Sequence, residues 1–340
     1  MPPPPDPAAA VLLPDAAGVE AAAAALRRGE LVGLPTETVY GLAGHALDPT
    51  AVARIFAAKR RPADNPLIVH LAAGDELARL ARVVTPLARR LAAAYWPGPL
   101  TLVLAAGASV PPITRGGLDT VAVRVPDHPV ALAVLQASGL PLAAPSANLS
   151  GRPSPTRAVD VVAELGSRVA LVLDGGRCTV GVESTVVDAR GEVPVVLREG
   201  AVTREDLGLS GGAAPSPGEV ARSPGTRYRH YAPACAVEVL DGSRLVARAE
   251  RAGAAGERLA VLASPQVLAA VQSAVPAASP GTGGVCATTV FGDDLELARE
   301  LYGAFRAAEV ADAGLLLVES VPEQGVGRAV MDRLRRAAAG

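Results

Sequence analysis

At 340 residues the chain has room for two domains, each with its own core. Half of its residues are apolar and only 3% aromatic, and a formal net charge of −2 with a pI near 6.1 excludes a global positive field that would hold nucleic acid without preference. Cys178, Cys235 and Cys286 are odd in number and lack metal-ligand spacing, so they read as free thiols in a reducing compartment.

Taken in chain order, "MPPPPDPAAAVLLPDAAG" lacks a basic region and a long apolar run, and reads as a disordered lead-in over 1–15 rather than a signal peptide. "VEAAAAALRRGE" is helical and ends at Gly29, and "LVGLP" is a short apolar strand. "DPTAVARIFAAKRR" has an Asp/Thr start and apolar residues at helical spacing, which places Lys59 and Arg61 at a helix end. After a Pro-bounded turn, "LIVHL" reads as a buried strand. Helical stretches follow around 75–82 and 85–95, then a strand in "WPGPLTLVLAA" and an alternating strand in "DTVAVRVP" with Arg124 near its end. "HPVALAVLQASG" is a helix, "LPLAAPSANLSGRPSPT" a short strand entering a long polar loop, and "VALVLDGG" another buried strand. "ESTVVD" and "VPVVLREG" close the region as a hairpin, giving an α/β domain with a mixed sheet over 16–205.

A Gly/Pro/Ser-rich linker is expected over 206–234, and a smaller Rossmann-like α/β domain over 235–340. In it strands "AVEVL", "LAVLA" and "GLLLVES" alternate with helices near 243–252 and 264–273 and with "DDLELARELYGAFRAAEVA". A further strand is expected near 285–290, and "GTGGVC" at 281–286 is read as a loop. No stretch reaches the ~20 apolar residues of a membrane helix, and the chain reads as cytoplasmic.

Phosphate-loop, GxGxxG, HExxH and zinc signatures are absent. Ser146, His70 and Asp174 could compose a hydrolase triad, but no GxSxG elbow supports one. The polar residues gather instead in "PTETVYG", "KRRPADNPLIVH", "TRGGLDTVAVR", "APSANLSGRPSPT", "GVEST" and "LREG". Together these offer the cations Lys59, Arg61, Arg124 and Arg198 and the neutral donors Thr36, Thr38, Asn65, Thr120, Ser146, Asn148, Ser154 and Ser184. That mixture suits an anionic ligand needing many hydrogen bonds, such as a nucleoside triphosphate beside a small carboxylate. Lys59 is the only lysine among 32 basic residues, which points to a site that a compact ammonium fills and a guanidinium fork does not. Arg124 could pair with Asp119 or Glu183, or clamp a ligand carboxylate, and His70 could be a core histidine or a ligand contact.

In the same order, "PTETVYGLAG", "KRRPADNPLIVH", "WPGPLTLVL", "TVAVRVP", "APSANLSGRPSPT", "GVESTVVD", "LREG" and "SPGTRYRHYAP" resemble the YrdC-like threonylcarbamoyl-AMP synthase family in its two-domain form. The resemblance implies a twisted sheet with a concave cavity, and formation of threonylcarbamoyl-AMP and pyrophosphate from L-threonine, bicarbonate or CO2, and ATP. That product serves the tRNA threonylcarbamoyladenosine modification through a downstream transferase complex, and direct contact with tRNA stays open. Magnesium is implied, held by phosphates and water, with no protein metal site. Carried over by motif, Lys59 and Arg61 hold the triphosphate as the catalytic cations, and Asn65, Thr120, Ser146, Asn148, Ser154 and Arg198 complete the ATP site. Thr38, His70, Arg124, the Ala144 backbone and Ser184 hold threonine, with Thr36 assisting. Tyr228 and Tyr231 gate the cavity, and Tyr228 also contacts ATP. An RNA-binding module and a carbamoyl-transfer domain are the competing readings. The acidic balance and the lack of paired CxxC segments weigh against them.

Overall fold

The computed structural model describes residues 9–209, 231–279 and 282–339. They form two compact units. The first takes in the described residues to Ser150, Ser154–Thr179 and those from Glu183 to 209; the second takes in Gly151–Pro153, Val180–Val182 and the described residues from Tyr231 onward. Two tripeptides interior to the first stretch of chain thus belong to the second unit, which a reading by contiguous segments does not foresee.

The first unit is a ten-stranded mixed sheet in the order β1-β8-β2-β3-β7-β4-β6-β5-β9-β10. The strands are β1 (Ala10–Leu12), β2 (Val32–Leu34), β3 (Gly41–His45), β4 (Ile68–His70), β5 (Leu100–Ala105), β6 (Thr120–Arg124), β7 (Leu142–Ala143), β8 (Leu171–Leu173), β9 (Thr185–Asp188) and β10 (Val195–Arg198). Of the disordered lead-in expected over 1–15, residues 1–8 lie outside the described residues and the remainder is ordered: Ala10–Leu12 pairs in parallel with Leu171–Leu173, and Asp15 caps the next helix by accepting from Gly18 N at 2.8 Å. The helices are α1 (Ala16–Arg27), α2 (Pro49–Lys59), α3 (Pro86–Tyr95), α4 (Pro129–Ser138) and α5 (Ala158–Leu165). The stretch expected to be helical around 75–82 is a short 3-10 turn, Gly74–Arg79, and α5 occupies a segment the sequence reading left unassigned. The anticipated hairpin is present, with β9 and β10 antiparallel.

The second unit holds a four-stranded parallel sheet, β11-β14-β12-β13, from β11 (Ala236–Leu240), β12 (Arg258–Ala263), β13 (Gly284–Val290) and β14 (Leu315–Glu319). Its helices are α6 (Gly242–Ala254), α7 (Pro265–Ala274), α8 (Asp294–Val310) and α9 (Gly325–Ala338). Leu259, Val261, Ala263, Leu315 and Leu317 alternate onto one face and pack with α6 and α7. The strand expected near 285–290 is β13, which begins one residue earlier, at Gly284, inside the stretch read as a loop, because Arg258 of the neighbouring strand supplies its register partner.

Candidate active site

Register and the period of two place the site residues on one face of the first sheet. In β6, Thr120, Ala122 and Arg124 share a face, and Ile68 and His70 of β4 lie opposite Ala122 and Arg124. Val103 of β5 lies opposite Ala122, Val186 of β9 opposite Thr101, and Arg198 of β10 opposite Val186. The alternate residues Val69, Val121, Val123, Leu102, Leu104 and Val187 join the main helix-covered core. On the site face, Ile68, Val103, Ala122, Val186 and Leu197 make a separate small apolar floor. Thr120, His70, Arg124, Thr101, Ser184 and Arg198 stand around it, so one face carries both burial and charge.

Arg124 is almost fully buried and rigidly held. Its Nε donates to Gly98 O at 3.0 Å, Nη1 to Thr38 Oγ1 at 2.9 Å, and Nη2 lies 2.6 Å from Glu37 Oε1. The partners weighed from sequence, Asp119 and Glu183, are corrected to Glu37. Burial pushes the Glu37 carboxyl up, but the Arg124 charge and backbone N–H groups outweigh it, leaving the group below its ordinary range. His70 is buried, its Nδ1 has no hydrogen-bond partner, and burial together with Arg124 lowers its pKa to about 3. Its imidazole is therefore neutral throughout the physiological range. Thr36 Oγ1 donates to Val39 O at 2.6 Å and lies 2.9 Å from Thr38 Oγ1, so it braces Thr38. The Ala144 N–H is given to Ile68 O at 3.1 Å, which leaves its carbonyl as the backbone group to offer.

Ser184 Oγ lies 2.8 Å from Thr101 Oγ1, and Arg198 donates to the Ser184 carbonyl through Nε at 3.1 Å and Nη2 at 2.9 Å. The "LREG" glycine follows from this crossing: a Cβ on Gly200 would stand 2.2 Å from Thr185 N. Lys59 ends α2, where Arg60 turns left-handed, and its buried Nζ donates to Ser146 O and to Asn148 O at 2.6 Å. Its own carbonyl accepts from Ser150 N at 2.9 Å, so the lone lysine staples both sides of the "PSANLS" loop. Burial first, and the nearby Arg61 charge second, bring its pKa well below 10.5. Arg61 braces the following turn, donating to Asn65 O at 3.2 Å and Pro66 O at 3.0 Å. Asn65 and Thr120 are buried beside this turn and at the start of β6. Ser146 bridges to Gly41, the Asn148 amide donates to Leu149 O at 2.8 Å, and Ser154 Oγ donates to Glu183 Oε1 at 2.6 Å.

Two acidic side chains stand among these groups, Glu37 beside Arg124 and Glu183 beside Ser154. Asp174, weighed for a triad, instead accepts from Gly176 N at 3.0 Å. Tyr228 lies outside the described residues. Tyr231 is buried in the second unit, stacked on Tyr302 at 5.7 Å with Arg333 over its ring at 5.5 Å. Among the described residues no group of three His, Cys, Asp or Glu side chains could hold a metal ion. No helix there is long and apolar enough to cross a membrane.

A Sua5–YciO–YrdC family profile described as telomere recombination matches residues 24–200, and a profile for the threonylcarbamoyl-AMP synthase C-terminal domain matches 196–339. The threonylcarbamoyl-AMP synthase of Pyrococcus abyssi is 42% identical over 338 residues, covering 94% of this chain and 93% of that protein. The crystal structure of P. abyssi Sua5 complexed with L-threonine has a TM-score of 0.83 at 39% identity, with 97% of this chain and 96% of that chain covered. A threonylcarbamoyl-AMP synthase of Vibrio cholerae is 38% identical over 184 residues, 54% of this chain but 97% of its own length.

Proposed function

The chain belongs to the Sua5–YciO–YrdC family of threonylcarbamoyl-AMP synthases, and we propose that its first unit does the chemistry with the residues described above. It is a nucleotidyltransferase that forms L-threonylcarbamoyl-AMP. A relative about half as long carries the same name, so one unit suffices, and the cations and donors gather in the first. The observation that carries the assignment is the single sheet face on which Arg124, His70, Ser184 and Arg198 surround a small apolar floor.

Threonine and bicarbonate first condense to the N-carboxylate, releasing one water and one proton. One carboxylate oxygen then attacks the α-phosphorus of ATP, and pyrophosphate leaves. In this reading Arg124 takes the threonine carboxylate. A guanidinium has five N–H donors, and Gly98, Thr38 and Glu37 hold it in plane for the remainder. Neutral His70 offers Nδ1 to the amine or hydroxyl as a hydrogen-bond acceptor, while Thr38, Ser184 and the Ala144 carbonyl complete that pocket. Lys59 gives two of its three N–H bonds to carbonyls and the third to phosphate, with Arg61 beside it. Asn65, Thr120, Ser146, Asn148, Ser154 and Arg198 form the rest of the nucleotide site.

Both substrates are anions. Holding them in line can lower the barrier by up to ~7–11 kcal/mol, and cations facing the phosphorane add to that. Magnesium would be held mainly by the ATP phosphates and water and would supply charge neutralisation there, while Lys59 and Arg61 take the remaining phosphate oxygens. The chain works in the cytoplasm and hands its product to a tRNA-modifying transferase complex. Mass spectrometry of a reaction with threonine, bicarbonate and Mg-ATP tests the assignment. Threonylcarbamoyl-AMP and pyrophosphate are expected together, and absence of both from folded protein refutes it. Arg124→Ala is expected to raise the threonine KM far more than the ATP KM.

A further inference from the structure

Thr101 of β5 and Ser184, the residue before β9, meet on the site face of the first sheet with their hydroxyl oxygens 2.8 Å apart. The backbone around Ser184 is clamped. Its carbonyl accepts from Arg198 Nε at 3.1 Å and Nη2 at 2.9 Å, and the amide that follows it donates to Pro99 O at 2.9 Å. Thr185 Oγ1 donates to Val202 O at 2.6 Å, and a Cβ on Gly200 would stand 2.6 Å from the Ser184 carbonyl carbon. What remains to be set is the side-chain torsion of Ser184 and the direction of its O–H bond.

A hydroxyl has one proton to give and two lone pairs to receive with. Ser184 Oγ receives from Arg198 Nη2 at 3.1 Å. Its contact with Thr101 can run either way, and burial decides which. Thr101 is fully buried, and Ser184 Oγ is the one hydrogen-bond partner of its hydroxyl among the described residues. Were Ser184 the donor, the Thr101 proton would be buried without an acceptor, which is costly. Thr101 therefore donates. Both lone pairs of Ser184 Oγ are then taken, and its proton is left for a group outside this cluster. Thr101 is suited to the task, because a β-branched side chain is stiff at its first torsion and β5 lies between β6 and β9 within the sheet.

We propose that Thr101 is a positioning residue for L-threonine: together with Arg198 it fixes Ser184 as a donor aimed at an oxygen of the substrate. This rests on the assignment of Ser184 to the threonine pocket made above. A hydroxyl held in that sense meets a carboxylate or hydroxyl oxygen and not an ammonium, so the amine of the incoming amino acid is turned away from Ser184.

Steady-state kinetics of the full chain, with threonine and ATP varied separately and melting followed in parallel, tests it. Thr101→Val keeps the branched shape and the strand preference and loses only the hydroxyl. It is expected to raise the threonine KM about ten-fold, the effect of losing one well-directed hydrogen bond to a charged group. The ATP KM and kcat stay within about two-fold, and Thr101→Ser, which restores the donor, recovers most of the loss. In a double-mutant cycle Thr101→Val adds nothing to Ser184→Ala, because its effect passes through that hydroxyl. Should Thr101→Val fail to fold, Thr101→Ala takes its place in the cycle. An unchanged threonine KM overturns the proposal, as does full additivity with Ser184→Ala or a rise in both KM values that follows a falling Tm. Ser184→Ala by itself separates the two claims. If it leaves the threonine KM unchanged, the assignment of Ser184 to threonine falls; if it raises the threonine KM while the Thr101 variants do not, only the part given to Thr101 falls.

Discussion

Lys59 shows why one ammonium persists among arginines: its tip fits between two backbone carbonyls of a tight loop. A planar fork with five donors has no room to turn there. Lys59→Ala is expected to lower kcat/KM for ATP by ~10²-fold or more, by analogy with removal of one transition-state donor. It also costs ~1–3 kcal/mol, because the Ser146 and Asn148 carbonyls lose their partner. Initial rates and chemical denaturation check both, and a near-normal rate rejects the role. His70 makes a separate prediction. Its pKa is near 6.5 when unfolded and about 3 when folded, so between those values the unfolded chain binds the extra proton. Stability is full above pH 6.5 and falls as pH drops toward 3, by up to ~1.4 kcal/mol per pH unit. Glu37, held low, adds a loss in the same direction below 4.5. His70→Gln should flatten the dependence between pH 6.5 and 4.5 while Glu37 still acts below it. An unaltered slope in denaturation curves at pH 7, 6 and 5 would contradict this. The candidate cations and hydroxyls were legible as residue types in polar stretches. Glu37 was not, because its pairing with Arg124 spans 87 positions and needs the folded sheet.

At the scale of elements, periodicity served wherever a segment's own pattern decided its structure. Helices α1, α2 and α4 and the alternating strand β6 are such cases. It failed where a neighbour decides. Three residues after a proline-rich run become β1 only because β8 offers a parallel edge. The short α5 follows a polar loop, and the many charged positions of α9 obscure its apolar pattern. Gly181 belongs here too: positive φ and contact with the α8 backbone both forbid a side chain. Gly181→Ala should destabilise by ~2 kcal/mol or more, beyond the usual Gly→Ala penalty, since backbone atoms cannot step aside. Thermal unfolding reads this directly, and a melt within a degree of the parent would show that the loop relaxes freely.

Over the whole molecule, a net charge of −2 argues against non-specific hold on nucleic acid and leaves a site for a small anionic molecule open. The tripeptides that belong to the second unit were not legible in the sequence, since nothing in "GRP" or "VGV" announces a partner some 150 or 120 positions away. The same interleaving governs recombination. Anyone grafting the carboxy-terminal body of a cousin onto this scaffold must transplant three pieces of ancestry, two of them only three residues long, or the hybrid will inherit seams that no longer match.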